Sequence, residues 1–137
     1  MARSMRHGAQ LNAKETLIVE ALRAAARPLS AYDIINLLRA EGISSPPTVY
    51  RALKRLTHAG LAHRIESLNA FVPCAHAAHA SGAAFAICSD CGSVIEFHKP
   101  DAIENLAQWA AQNTFQVNRM TIELRGQCHS CALAGET

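Results

Sequence analysis

Aromatic side chains are scarce in this chain: one Trp, two Tyr and four Phe among 137 residues. Half of the residues are apolar, so a core can be buried, but rings contribute little to it. No apolar run approaches the roughly 18 residues that a membrane-spanning helix needs, which excludes such a helix. The stretch MARSMRHGAQLNAKE has no apolar core of the kind a signal peptide shows, so the expectation is a cytoplasmic protein with no membrane partner. An even cysteine count is also lacking. There are five, so they cannot all pair as disulfides. No internal repeat is found, and the length allows one domain or two small ones. Two domains of about 60 to 75 residues would each be marginal and would need a metal or a partner chain.

The net charge of +2 hides an asymmetry. Residues 1 to 73 carry ten Lys/Arg against five Asp/Glu, and residues 74 to 137 carry three against six. A basic front half and an acidic back half suggest different partners, with phosphates a candidate for the first.

Residues 12 to 26, NAKETLIVEALRAAA, read as a helix with Leu17, Ile18, Leu22 and Ala25 on one face. Asn12 with Glu15 three residues on resembles a capping box. Ser30 followed by Asp33 opens a second helix with a stripe of Ile34, Leu37 and Leu38, ended by Gly42. In SSPPTVYRALKRLTHAG, Ser45 is a candidate N-cap with Pro46 at the first helical position. Val49, Leu53 and Leu56 form its buried face and Tyr50, Arg51, Lys54, Arg55 and His58 the other, until Gly60 stops it. LAHRIE and AFVP then read as two short strands. Three helices and a small hairpin make the layout of a winged helix-turn-helix over residues 1–74.

Residues 75–82, rich in Ala, His, Ser and Gly, read as a hinge, and 83–137 as a second domain. AAFAIC and SVIEF are expected strands, joined by the turn at Cys88 and Cys91. DAIENLAQWAAQN is an expected helix with Ile103, Leu106, Trp109 and Ala110 on its apolar face. FQVNRMTIELRG alternates enough for one or two strands. The fold class is α+β.

Four of the cysteines form two C-x2-C pairs, Cys88 with Cys91 and Cys128 with Cys131. In a reducing compartment that pattern points to metal ligands before disulfides. Each pair turns two sulfurs toward one point. The 36 intervening residues can close both on one ion if they form a compact strand, helix and returning hairpin. Zn2+ suits four thiolates in a tetrahedron, and a closed site of that kind is structural, with no position open for chemistry.

His63, Cys74, His79 and Glu96 remain as further candidate ligands, with His76 a rival of His79. Singly, each has an ordinary explanation: a surface or core histidine, an exposed strand glutamate, a small buried thiol. Together they fall at the start and end of the wing, in the hinge, and on the strand after the first cysteine pair. A mixed N, S and O set still suits zinc and should exchange more readily than four thiolates.

TVYRALKRLTHAGLAHRIE, then ICSDCGSVIEF and a final CHSC, resemble the ferric uptake regulator family, most of all its zinc uptake regulator branch, over residues 12 to 131. The resemblance implies a homodimer with an N-terminal winged-helix DNA-binding domain and a small C-terminal α/β dimerisation domain. It also implies repression of zinc-uptake genes from a palindromic operator when metal is bound. Residue by residue, Cys88, Cys91, Cys128 and Cys131 match the structural zinc cysteines. His63, Cys74 and Glu96 match regulatory ligands, with His79 the nearest linker histidine. Tyr50 and Arg51 match the pair that reaches bases, and Lys54, Arg55 and Arg64 are then expected at phosphates. Asn118 and Arg119 stand where iron-sensing relatives carry a histidine, which favours zinc over an iron-responsive role, and Cys74 fits poorly the oxidisable N/O iron site of a peroxide-responsive one.

An enzyme is not expected, nor a small-molecule substrate. Zinc deaminases carry H-x-E and then P-C-x-x-C, whereas here His63 precedes Glu66 by three and Ile87 precedes Cys88. A zinc ribbon that binds protein or RNA would leave PPTVYRALKRL unexplained.

Overall fold

A computed structural model of the chain describes residues 10–74 and 82–135, and the chain divides into two compact units between Ala77 and Ala78.

In the first unit, helix α1 spans Ala13–Ala25 and opens on the expected capping box. Asn12 Oδ1 accepts the Glu15 N–H at 2.8 Å, and Glu15 Oε1 accepts the Asn12 N–H at 3.1 Å. Ala26 ends α1 at φ 58, in the left-handed region, and Pro28 follows two residues later. Helix α2 spans Ala31–Leu38 with a second capping box, Ser30 to Asp33. The Ser30 backbone N–H holds the Asp33 carboxyl below its ordinary 3.8, helped by the Ser30 hydroxyl and Arg27 against the opposing effect of burial. The stripe of α2 differs from the expected one: Ala31, Ile34, Ile35 and Leu38 are buried, and Leu37 is exposed. The rotation follows from packing, since α2 must offer the core the face that meets both α1 and α3.

Helix α3 spans Pro46–His58. Ser45 is its N-cap residue by position but makes no side-chain capping bond, and Pro46 supplies the helical start. Val49, Ala52, Leu53 and Leu56 are buried, as the sequence pattern requires. Gly60, at φ 78, turns the chain into strand β1, Ala62–Ile65, which pairs antiparallel with β2, Ala70–Pro73. Leu29 bridges to Phe71 and adds a third short edge to this wing. The core is aliphatic, with Ile18, Leu22, Leu29, Ile34, Val49 and Leu56 at its centre.

In the second unit, β3 (Ala83–Cys88) lies between β4 (Val94–Phe97) and β5 (Thr121–Gly126). β4 is antiparallel to β3, and β5 is parallel to it. A parallel neighbour needs a long crossover, and β4 with helix α4, Pro100–Gln112, provides it. Of the one or two strands expected from 115 to 126, one forms, β5. Residues 113–119 are exposed irregular chain, turned at Thr114 with φ 49. The segment CHSC begins a short helix α5, His129–Ala134, which the sequence reading did not foresee.

The apolar face assigned to α4 is only partly covered. Ala110 is buried and Ile103 half-buried, while Leu106 and Trp109 are exposed. Among the described residues of this unit, Phe85 is the one large side chain that is fully buried. No described helix is long and apolar enough to cross a membrane.

Candidate metal centre and nucleic-acid interface

The parallel register of β3 and β5 sets Cys88 directly opposite Gly126. Two residues past Gly126 the chain reaches Cys128, so the second pair arrives beside the first. The Ser89 N–H donates to the Gly126 carbonyl at 2.7 Å, and Gln127 Nε2 donates to Asp90 Oδ2 at 2.7 Å. These bonds join the two turns. Gly92, at φ 79, closes the first turn and donates its N–H to the Cys88 carbonyl. Cys128 is the N-cap residue of α5, which places Cys131 one turn further along the same helix.

Cys88, Cys91, Cys128 and Cys131 consequently each offer a sulfur within 4.8 Å of the other three. Cys91 Sγ and Cys128 Sγ are 3.8 Å apart. None of the five cysteines is in a disulfide.

The environment already favours negative charge at part of this cluster. The Cys91 N–H, 3.4 Å from Cys88 Sγ, together with the Cys128 N–H, lowers the Cys88 thiol to about 6. The Ser93 hydroxyl, 3.4 Å from Cys91 Sγ, and the Ser93 N–H lower Cys91. Cys131 is pushed up to about 12, chiefly by the neighbouring Cys128 and Cys88 sulfurs. Several thiolates cannot share so small a volume without a cation. A divalent metal with a tetrahedral, sulfur-loving shell resolves that conflict, and these residues fit zinc on donor type and number.

In the first unit, His63 lies on β1 opposite Val72. The Cys74 N–H donates to the Leu61 carbonyl at 3.0 Å, which fixes Cys74 beside the start of β1. A ring nitrogen of His63 and Cys74 Sγ lie within 4.8 Å of one another, a two-ligand pair on the winged helix itself. Glu96 lies half-buried on β4 of the second unit, opposite Phe85. His79 and His76 fall outside the described residues.

On α3, Tyr50, Arg51, Lys54, Arg55 and His58 are all exposed, as the helical period dictates. Two of the expected phosphate contacts have protein partners that the sequence did not reveal. Arg55 Nε is 2.6 Å from Glu15 Oε2. Arg64 holds Glu66 Oε1 at 2.7 Å and Asn69 Oδ1 at 2.9 Å, both at the turn of the wing.

A winged helix followed by a small α/β unit with two converging cysteine pairs defines a class of metal-associated helix-turn-helix proteins. The ferric uptake regulator family model matches residues 7–125, and the chain belongs to that family. It is 39% identical over 107 residues to the zinc uptake regulation protein of Escherichia coli strain K12. That match takes in 75% of this chain and 61% of the relative, so the chain spans about three fifths of that relative's length. Among solved structures it resembles holo XcZur, with TM-score 0.84 and 33% identity over 95% of this chain and 94% of that one. It also resembles a zinc uptake regulator complexed with zinc and DNA, with TM-score 0.86 and 32% identity over 93% of this chain and 87% of that one.

Proposed function

We propose that the protein is a zinc-responsive repressor of zinc-uptake genes, a cytoplasmic homodimer that binds a palindromic operator when a regulatory zinc site is filled. The observation that carries this reading is a pair of potential ligands on the wing, His63 and Cys74, on the same winged helix whose α3 face exposes Tyr50 and Arg51. Cys74 also supports zinc over iron, because a thiolate in the set suits the softer ion. The similar zinc uptake regulator that binds both zinc and DNA supports the same assignment.

In this reading Cys88, Cys91, Cys128 and Cys131 hold a structural zinc that ties down a unit with little core of its own. His63, Cys74 and Glu96, with His79 as fourth ligand or His76 in its place, hold the regulatory ion. Arg51 donates two hydrogen bonds to a guanine in the major groove, and Tyr50 packs on a thymine methyl. Lys54, Arg55 and Arg64 meet phosphates, which position the protein and make affinity salt-dependent. Regulatory zinc favours the spacing of the two winged helices that fits both half-sites, so it shifts the population toward the DNA-ready state. By linkage, DNA tightens zinc by the same factor. Moving from mostly off to mostly on requires roughly 5 kcal/mol of differential affinity, within the range of a metal site completed in only one state. The ferric uptake regulator family gives the chain a regulator's role, and in this reading it is not an enzyme.

The test combines zinc counting with DNA titration. Zinc per chain is measured before and after mild chelation, and palindromic DNA is titrated at each stage. Loss of one of about two zinc ions per chain, together with DNA binding, is the expected result. DNA binding indifferent to chelation would overturn the regulatory part. His63→Ala should retain the dimer and lose zinc-dependent DNA binding.

A further inference from the structure

Glu15 is the one charged residue buried among the described residues, with 2% of its side chain exposed. Its two oxygens have different partners. Oε1 accepts the Asn12 N–H of the capping box, and Oε2 takes Arg55 Nε at 2.6 Å. The side chain of Arg55 is 63% exposed, so the Nε contact leaves most of that side chain open to solvent. Arg55 lies one helical turn beyond Arg51, and both are exposed on α3.

A buried carboxylate is a poor device for stability alone. Its desolvation offsets much of the attraction to its partner, and an apolar residue of similar volume commonly does as well. The site sits on the apolar side of α1, beside Ile18, Val19 and Leu22, where a leucine would continue the pattern. An arginine held by Nε gains something that burial does not explain. Its flexible stem is fixed, and its two terminal amino groups remain available as a fork for a second anion.

We propose that Glu15 is a positioning residue for DNA binding: it orients Arg55 so that its outward amino groups engage one backbone phosphate of the duplex that α3 reads. This inference rests on the DNA-binding reading above and deepens it. Arg55 then differs from Lys54, whose ammonium reaches phosphates without restraint and contributes mainly charge. Ordering Arg55 before the encounter lowers the entropy lost on binding, and it sets the depth and angle at which α3 meets the backbone.

The test uses the zinc-loaded full chain, a duplex selected by the unsubstituted protein from a random-core library, and poly(dI-dC) as non-specific competitor. In the free protein the Arg55 Nε–H should resist solvent exchange, and Glu15→Gln should abolish that protection. Arg55→Lys keeps the charge but cannot bridge carboxylate and phosphate with one planar group. It should lose about tenfold in affinity for the selected duplex and weaken on poly(dI-dC) as well, since a phosphate contact carries no sequence information, with its melting temperature unchanged. Arg55→Ala should reduce the slope of log affinity against log salt by about one. Glu15→Gln in the Arg55→Lys background should add no further loss, as residues acting through one contact are not additive. An Arg55→Lys protein that binds the selected duplex normally would overturn the proposal. So would an unchanged salt slope in Arg55→Ala, or losses of DNA affinity that simply follow the melting temperature. Failure of the unsubstituted protein to select any duplex would end the DNA reading itself, and is seen before any variant is made.

Discussion

Arg55 Nε stands 2.6 Å from Glu15 Oε2, and that single bond joins the first turn of α1 to the last turn of α3. Glu15 also closes the capping box on Asn12. Glu15→Ala therefore removes the return half of the capping box, while Asn12 still caps the backbone N–H of residue 15, and it leaves Arg55 without its inner partner. The expected loss is about 1 to 3 kcal/mol, mostly from the capping-box return bond and the buried bond, since the Arg55 side is solvent-screened. Urea unfolding followed by circular dichroism measures it. A change under about 0.3 kcal/mol would show that the pair contributes nothing to the fold.

Ala26 terminates α1 at φ 58, a conformation that an alanine adopts at a cost and a glycine does not. Ala26→Gly should raise stability by roughly 0.5 to 1 kcal/mol, even though glycine gives the unfolded chain more freedom. The melting temperature of the variant decides it. A decrease would mean that the unfolded-state entropy outweighs the relieved strain.

The four-cysteine cluster carries its own pH signature. Near pH 7 a Cys88 thiol held at about 6 is already largely ionised, whereas a Cys131 thiol pushed up to about 12 keeps its proton. Metal uptake at neutral pH therefore displaces a proton from Cys131. Below pH 6 it must displace the proton of Cys88 as well, so affinity should fall more steeply with each pH unit there than above pH 7. Chelator competition with Co2+, read by its thiolate charge-transfer absorption, follows this directly. A slope that is constant from pH 5 to pH 8 would contradict the assigned asymmetry.

Trp109 and Phe115 stand with ring centroids 6.4 Å apart, and both are more than half exposed, at 58% and 60%. Leu106, Leu124 and Leu133 are exposed in the same unit, which has little interior of its own. A second copy of this unit is the proposed cover. Trp109→Asp should shift sedimentation from dimer toward monomer without removing the first unit's helical signal. A variant that stays dimeric at micromolar concentration would place the interface elsewhere.

Much of the fold was legible because its signals are local. Asn12 with Glu15 and Ser30 with Asp33 mark helix starts through bonds that span three residues. Val49, Leu53 and Leu56 mark the buried face of α3 through its period alone. Leu37, placed in the apolar stripe of α2, is exposed, and Trp109, on the apolar face of α4, is left uncovered within its own unit. A pattern names an apolar side chain, and only the neighbouring elements decide whether it is covered. Residues 115–120 alternate like a strand, yet Thr114 and the irregular chain after it leave β3 one partner on that side.

By itself the sequence determined which residues could ligate a metal, where the helices start, and that a basic half precedes an acidic one. Those follow from side-chain chemistry and short-range periodicity. The tertiary structure alone decided that β5 runs parallel to β3, the register that carries Cys128 and Cys131 to Cys88 and Cys91. It alone decided that Glu15 is buried against Arg55. Both depend on pairing between segments far apart in the chain, where many arrangements satisfy the local pattern and packing with hydrogen bonding selects one.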